Sequence, residues 1–163
     1  MIARHFIDSL DFAHKGAELS GDMAVVDMPR LQDMLAAPDG VVRYTVRGLQ
    51  GKDGKPMLEV ELDGACRLRC QRCLEAMDYP IRQTTRLLLT PESELDAFPD
   101  DENELDSIAI DKHLDVEDVI EQEILLNLPF APKHPEGKCQ PAAEGMNRSA
   151  DNPFAVLAGL KKK

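Results

Sequence analysis

Four cysteines carry most of the chemistry this sequence could do, at positions 66, 70, 73 and 139. Cys70-Gln71-Arg72-Cys73 is a C-x₂-C pair, the spacing that lets two thiolates bite one Zn²⁺. A closed tetrahedral site needs two more ligands, and His134 and Cys139, spaced H-x₄-C, can supply a second bite. Cys66 is the alternative fourth ligand, although it shares strand parity with Val60, Leu62 and Leu68, where a free cysteine acts as a small hydrophobe. Two other readings compete for the pair. A redox C-x-x-C opens a helix after a buried strand, because the helix terminus lowers a thiol pKa. Here the acidic, turn-like Leu74-Glu75-Ala76-Met77-Asp78-Tyr79-Pro80 follows instead. A disulfide needs an oxidising compartment, and the opening MIARHFIDSLDF, broken by His5, Asp8 and Asp11, is no signal-peptide core. If the metal site closes, its cofactor is one structural zinc; nothing else in the chain asks for a cofactor.

Other reaction machinery is missing from the pattern. There is no P-loop, G-x-G-x-x-G, H-E-x-x-H or G-x-S-x-G. His5 and His14 have no nucleophile motif beside them, and His113 directly precedes a helix. The carboxylates between 92 and 123 are numerous, but a charge run is usually a solvated face. The expectation is a protein that is not an enzyme. The arginines offer a different chemistry. Arg43 and Arg47 on one strand and Arg67 and Arg69 on the next fall on the polar parity, with Arg72 in the cysteine knuckle. Guanidinium groups both pair with phosphate and stack on bases, so these five are candidate contacts for RNA or a partner. Glu59, Glu61 and Asp63 share that face and weaken the case.

The elements that must position these residues follow from patterning. The chain has 163 residues, about one domain, with 43% hydrophobic residues, seven aromatic ones and no Trp. No run approaches 18 apolar residues, so no transmembrane helix and no membrane partner are expected, and the setting reads as cytoplasmic. The net charge of −11 divides into −4 over residues 1–40, +3 over 41–90 and −10 over 91–163. A basic island in an acidic chain is a clue to partners rather than to fold.

Residues 41–90 read as antiparallel β. Val42, Tyr44 and Val46 alternate with Arg43, Thr45 and Arg47; Leu58, Val60, Leu62, Cys66, Leu68 and Cys70 share one parity; Tyr79, Ile81, Leu87 and Leu89 share another. Turn residues fill 50–56, and Gly64 marks a bulge or a close backbone approach. Residues 91–106 hold eight acidic and no basic side chains, which predicts a mobile acidic loop, after which Ile108 and Ile110 could rejoin the sheet. A helix is predicted over 115–128, capped by Asp115, with Val119, Ile120, Ile124 and Leu128 on one face and Pro129 as its stop. In the first forty residues, 23–26 reads as a strand, and Asp27-Met28-Pro29-Arg30 as a helix start with Leu31, Met34 and Leu35 on its apolar face. The predicted class is α+β: an antiparallel meander or partly closed barrel with a few flanking helices, forming one domain over 1–139. Residues 140–163 are predicted to be a flexible tail ending in an anchor built on Asn152, Pro153, Phe154, Val156 and Leu157, followed by a lysine end.

Three of these features together resemble the bacterial YceD family of large ribosomal RNA subunit accumulation proteins. They are Cys70-Gln71-Arg72-Cys73-Leu74 at a strand end, the helix over 116–128 running into a proline and then a cysteine, and Asn152-Pro153-Phe154-Ala155-Val156-Leu157 with its lysines. The resemblance covers roughly residues 40–163. It implies a non-catalytic role in large-subunit ribosomal RNA processing or accumulation, with Cys70, Cys73 and Cys139 as the family's cysteines and Cys66 as an extra. It leaves two modes of action, with a zinc- or thiol-dependent enzyme as the least favoured reading. An acidic protein could act through protein contacts, holding a basic ribosomal protein or another biogenesis factor. Alternatively, the sheet arginines could bind ribosomal RNA directly.

Overall fold

The computed structural model describes residues 4–95 and 105–139. Its frame comes from three long strands whose alternating side chains sort into a buried and a solvated face: β4 (Val41–Gln50), β5 (Pro56–Arg69) and β6 (Ala76–Thr90). They form an antiparallel meander in which Tyr44 faces Leu62, Val46 faces Val60 and Leu58 faces Leu87, so one parity from each strand builds the core. β2 (Glu18–Ala24) adds to β4 antiparallel, and the short β7 (Asp106–Ala109) adds to β6 in parallel, which makes the sheet mixed. The order β2-β4-β5-β6-β7 stays open rather than closing into a barrel. The architecture is α+β.

β5 outruns β4. Its last paired residue there is Gly64 opposite Val42, beyond which β3 (Leu35–Ala37) takes over opposite Arg67 and Leu68. A Cβ at Gly64 would run into the Val41 carbonyl, so the glycine serves close approach, and register is unbroken on both sides of it. At the other end of β4, Gly48 lets α1 (Ser9–His14) lie directly on the strand, where a Cβ would collide with the Phe12 carbonyl.

The second helix, α2 (Val116–Asn127), is capped as its pattern predicts: the Asp115 carboxylate accepts from the Asp118 N–H at 3.2 Å. Val116, Ile120 and Ile124 are buried against the sheet, with Val119 and Leu128 half-buried beside them. The N-terminal arm is clipped onto this helix. β1 (Phe6–Ile7) pairs with β8 (Leu114–Asp115), the Val116 N–H donates to the His5 carbonyl, and His5 Nδ1 lies 2.7 Å from the buried Glu117 carboxylate. Buried Ser9 and Asp111 are joined twice, Ser9 N–H to the Asp111 carbonyl and Asp111 N–H to Ser9 Oγ.

Two local expectations need correcting. The strand expected over 23–26 is the end of β2, and Val25–Asp27 is a 3₁₀ turn. The helix expected from Asp27 is a 3₁₀ segment, Pro29–Met34, and Leu35 opens β3 instead of completing a helical face. Side chains three apart eclipse in such a segment, so Leu31 and Met34 fall on one line, the first buried and the second half-buried. Most of the predicted acidic loop, residues 96–104, and the whole tail from 140 lie outside the described residues. Among the described residues no helix is long and apolar enough to cross a membrane.

Candidate metal centre

The C-x₂-C pair forms the turn between β5 and β6. Cys70 N–H donates to the Glu75 carbonyl and Leu74 N–H to the Cys70 carbonyl, both at 2.9 Å, which closes the hairpin over the two cysteines. The reversal puts Leu74 at φ 64°, the one non-glycine in the left-handed region among the described residues, a conformation costing about 1 kcal/mol or more. The Arg72 N–H points back at Cys70 Sγ, 3.5 Å away.

The second limb arrives from α2. Pro129 follows the helix, and the chain crosses to the hairpin, where Gln71 N–H donates to the Pro132 carbonyl at 2.8 Å. A turn closed by Lys138 N–H on the Pro135 carbonyl, with Gly137 at φ 75°, then brings Cys139 back beside His134. The result is a four-residue cluster of Cys70, Cys73, His134 and Cys139, whose ligand atoms all lie within 4.8 Å of one another.

Elementary geometry tests whether a metal fits. Zn–S bonds of about 2.3 Å and Zn–N bonds of about 2.05 Å at the tetrahedral angle require S···S near 3.8 Å and S···N near 3.6 Å. Cys70 Sγ and Cys139 Sγ are 3.8 Å apart, and His134 Nδ1 is 3.4 Å from Cys73 Sγ and 3.7 Å from Cys139 Sγ. These three separations fit a tetrahedral ion, and the remaining ones lie within 4.8 Å. His134 is also oriented for it: Nε2–H donates to the Ala76 carbonyl at 3.1 Å, which leaves the Nδ1 lone pair facing the sulfurs.

The electrostatics favour thiolate at one position above the others. Burial pushes the Cys70 thiol up, but the backbone N–H groups of Cys73, His134 and Arg72 outweigh it and bring the thiol down to about 5. The Cys73 thiol is helped by the Glu75 backbone, yet burial and the neighbouring sulfurs of Cys70 and Cys139 leave it above its ordinary value. His134 is raised by its contacts with Cys139 and Cys70. Cys66 is different. It is buried in the core among apolar neighbours, burial alone pushes its thiol up to about 11, and it takes no part in the cluster.

The sheet arginines lie on the polar face, and all but Arg69, which stands opposite Ala76, are paired with carboxylates. Arg47 bridges Glu18 at 2.6 Å and Glu61 at 3.0 Å, Arg43 reaches Asp22 at 3.5 Å, and Arg67 reaches Asp78 at 3.3 Å. By register, β2, β4, β5 and β6 place six arginines there (Arg43, Arg47, Arg67, Arg69, Arg82, Arg86) and six carboxylates (Glu18, Asp22, Glu59, Glu61, Asp63, Asp78), so the face carries no net charge. The local excess of basic residues in 41–90 is cancelled by the neighbouring strand β2, which a linear count misses. Arg72 is drawn away from the face altogether, its Nε donating to Cys139 Sγ at 3.0 Å. The only sign of this in the sequence is its position between the two cysteines. The anchor residues Asn152, Pro153, Phe154, Val156 and Leu157 lie outside the described residues.

An open mixed sheet with two helices packed on it, closed at one hairpin by a Cys₃His cluster, defines a small α+β protein with a site able to hold a metal ion. Comparison with known proteins takes this further. The chain belongs to the YceD family: the family described as large ribosomal RNA subunit accumulation protein YceD matches residues 58–161. A curated relative from Haemophilus influenzae, large ribosomal RNA subunit accumulation protein YceD, is 30% identical over 122 residues, covering 68% of this chain and 64% of the relative. The chain thus spans a little less than two thirds of that relative's length. No solved structure matches the chain.

Proposed function

We propose that this protein is a non-catalytic ribosome-biogenesis factor, acting in the cytoplasm on the processing or accumulation of large-subunit ribosomal RNA through protein contacts. Membership of the YceD family is the observation that carries the setting. The mode of action is supported by charge. Residues 91–163 carry a net −10, which complements a basic ribosomal protein and would keep it soluble before it meets RNA. The anchor on Phe154, Val156 and Leu157 offers a short apolar segment for a groove on the partner or on another biogenesis factor.

The Cys70, Cys73, His134 and Cys139 cluster takes one structural zinc in this reading. Four protein ligands complete a tetrahedron and leave no open position for a water or a substrate, which is the arrangement of a structural rather than a catalytic site. When bound, the ion supplies a fixed link; the residues do the positioning, tying the segment after α2 to the β5–β6 turn. Direct ribosomal RNA binding through Arg43, Arg47, Arg67, Arg69 and Arg72 has less support. The sheet face is charge-balanced, and phosphate attraction depends on surplus positive charge.

Affinity capture of the tagged full chain at moderate salt, with bound RNA and proteins identified together, tests the reading. A basic large-subunit ribosomal protein should be recovered, survive nuclease treatment, and be lost when residues 91–106 are deleted. Recovery of ribosomal RNA without protein, abolished by Arg67→Ala plus Arg69→Ala, would replace protein contact with RNA binding.

A further inference from the structure

Arg72 stands between the two knuckle cysteines, yet its side chain reaches across to the other limb of the cluster. Its Nε donates to Cys139 Sγ at 3.0 Å and its Nη2 to the His134 carbonyl at 3.0 Å, while its backbone N–H faces Cys70 Sγ. One residue therefore touches three of the four ligand residues. Away from the ligand atoms themselves, Gln71 N–H to the Pro132 carbonyl and His134 Nε2–H to the Ala76 carbonyl also tie these limbs together.

Charge gives this contact a purpose. A divalent ion held by three thiolates and a neutral imidazole has one surplus negative charge. A guanidinium cancels it and donates a charge-assisted hydrogen bond to the sulfur. The Arg72 fork also bonds two acceptors five residues apart in sequence, which sets the spacing of the His134–Cys139 turn. A lysine at this position could carry the charge but has no planar fork to bridge both acceptors.

We propose that Arg72 is a positioning residue of the metal centre: it neutralises the centre's surplus charge and holds the His134 and Cys139 limb in ligand geometry. This inference rests on the zinc reading above. It also assigns the side chain of Arg72 to the metal centre rather than to phosphate, separating it from the arginines of the sheet face.

The test uses the full chain, Zn²⁺ in competition with a chromophoric chelator, and mass-spectrometric mapping of cysteine alkylation in the zinc-loaded protein. Wild type should take up one equivalent of Zn²⁺. Arg72→Ala should bind it about tenfold to a hundredfold more weakly, the usual range for lost outer partners of metal ligands. Cys139 should be alkylated faster than Cys70 in this variant, because its hydrogen bond is the one removed. Arg72→Lys should recover part of the affinity, and Arg82→Ala, on the sheet face, should match wild type. Thermal unfolding at saturating Zn²⁺ reports that each variant folds, and Arg72→Gln, which keeps a donor and removes the charge, separates charge from shape. Wild-type affinity and unchanged Cys139 protection in Arg72→Ala would overturn the assignment while leaving the zinc centre standing. A wild-type chain that takes up no zinc would overturn both.

Discussion

Cys73 Sγ and His134 Nδ1 lie 3.4 Å apart although 61 residues separate them in the chain. One comes from the turn between β5 and β6, the other from the segment that leaves α2, so a metal at this point would join the sheet to the end of the helix layer. Binding free energy at such a site is folding free energy. Cys73→Ser and His134→Ala are therefore expected to lose stoichiometric zinc, whereas Cys66→Ala, which alters only the core, should keep it. Free zinc at a thousand times its Kd stabilises by about 4.1 kcal/mol, and its removal by chelator should lower Tm by about 8–16 °C. Metal analysis of the purified variants, paired with thermal melts with and without chelator, checks both. Zinc retained by Cys73→Ser would sink the site.

Much of this arrangement was legible from local pattern. Alternation in β4, β5 and β6 needs only neighbouring residues, and so does the Asp115 cap, which is why those elements fall close to where periodicity puts them, although β6 opens at Ala76, inside the stretch expected to be a turn. The cluster was half legible: C-x₂-C and H-x₄-C are two local bites and strand parity already favours the core for Cys66, but nothing local says that the two bites meet. What stayed hidden is long-range. Ser9 with Asp111 and His5 with Glu117 are joined by more than a hundred residues of separation and leave no periodic trace. The acids of α2 were misleading for the same reason. Glu117, Glu121 and Glu123 read as a solvated stripe, yet all three are buried, because the N-terminal arm, the 3₁₀ segment and the sheet cover them.

One of those buried acids depends on a single partner residue. The Glu121 carboxylate accepts from the Arg30 N–H at 2.6 Å and from Arg30 Nε at 3.0 Å, and Arg30 Nη2 continues to Asp118 at 2.7 Å. Arg30→Ala leaves the backbone donor but strips the charged one from a carboxylate only 5% exposed. A hydrogen bond to a charged group contributes about 1.5–3 kcal/mol, and with Arg30 partly in water the lower end, about 2 kcal/mol, is expected. Urea unfolding should show that loss, and adding Glu121→Gln to Arg30→Ala should return most of it, because the unpaired buried charge is then gone. Equal stability of the single and double variants would mean that Glu121 does not depend on the guanidinium.

Glu123 behaves in the opposite sense. It is 3% exposed on the sheet side of α2. Burial pushes its carboxyl above the ordinary value of 4.5 and Asp106 adds to the push, while a hydrogen bond from Thr85 only partly opposes them. The folded protein therefore holds this proton more tightly than the unfolded chain does. The stability that follows is fully present below the unfolded value of about 4.5 and is lost as pH rises through the higher folded value. At neutral pH the fold either strains against a buried charge or carries the cost of protonating it. Glu123→Gln keeps the side chain's shape and is neutral at every pH, so it should raise Tm near pH 7–8 and lose that advantage as pH falls below about 4. The informative quantity is the difference between variant and wild type across that range, since paired carboxylates such as Glu121 are present in both and cancel. A difference that stays constant from acid to neutral pH would mean that Glu123 titrates alike in the folded and unfolded chains, and that burial on α2 leaves its proton affinity untouched.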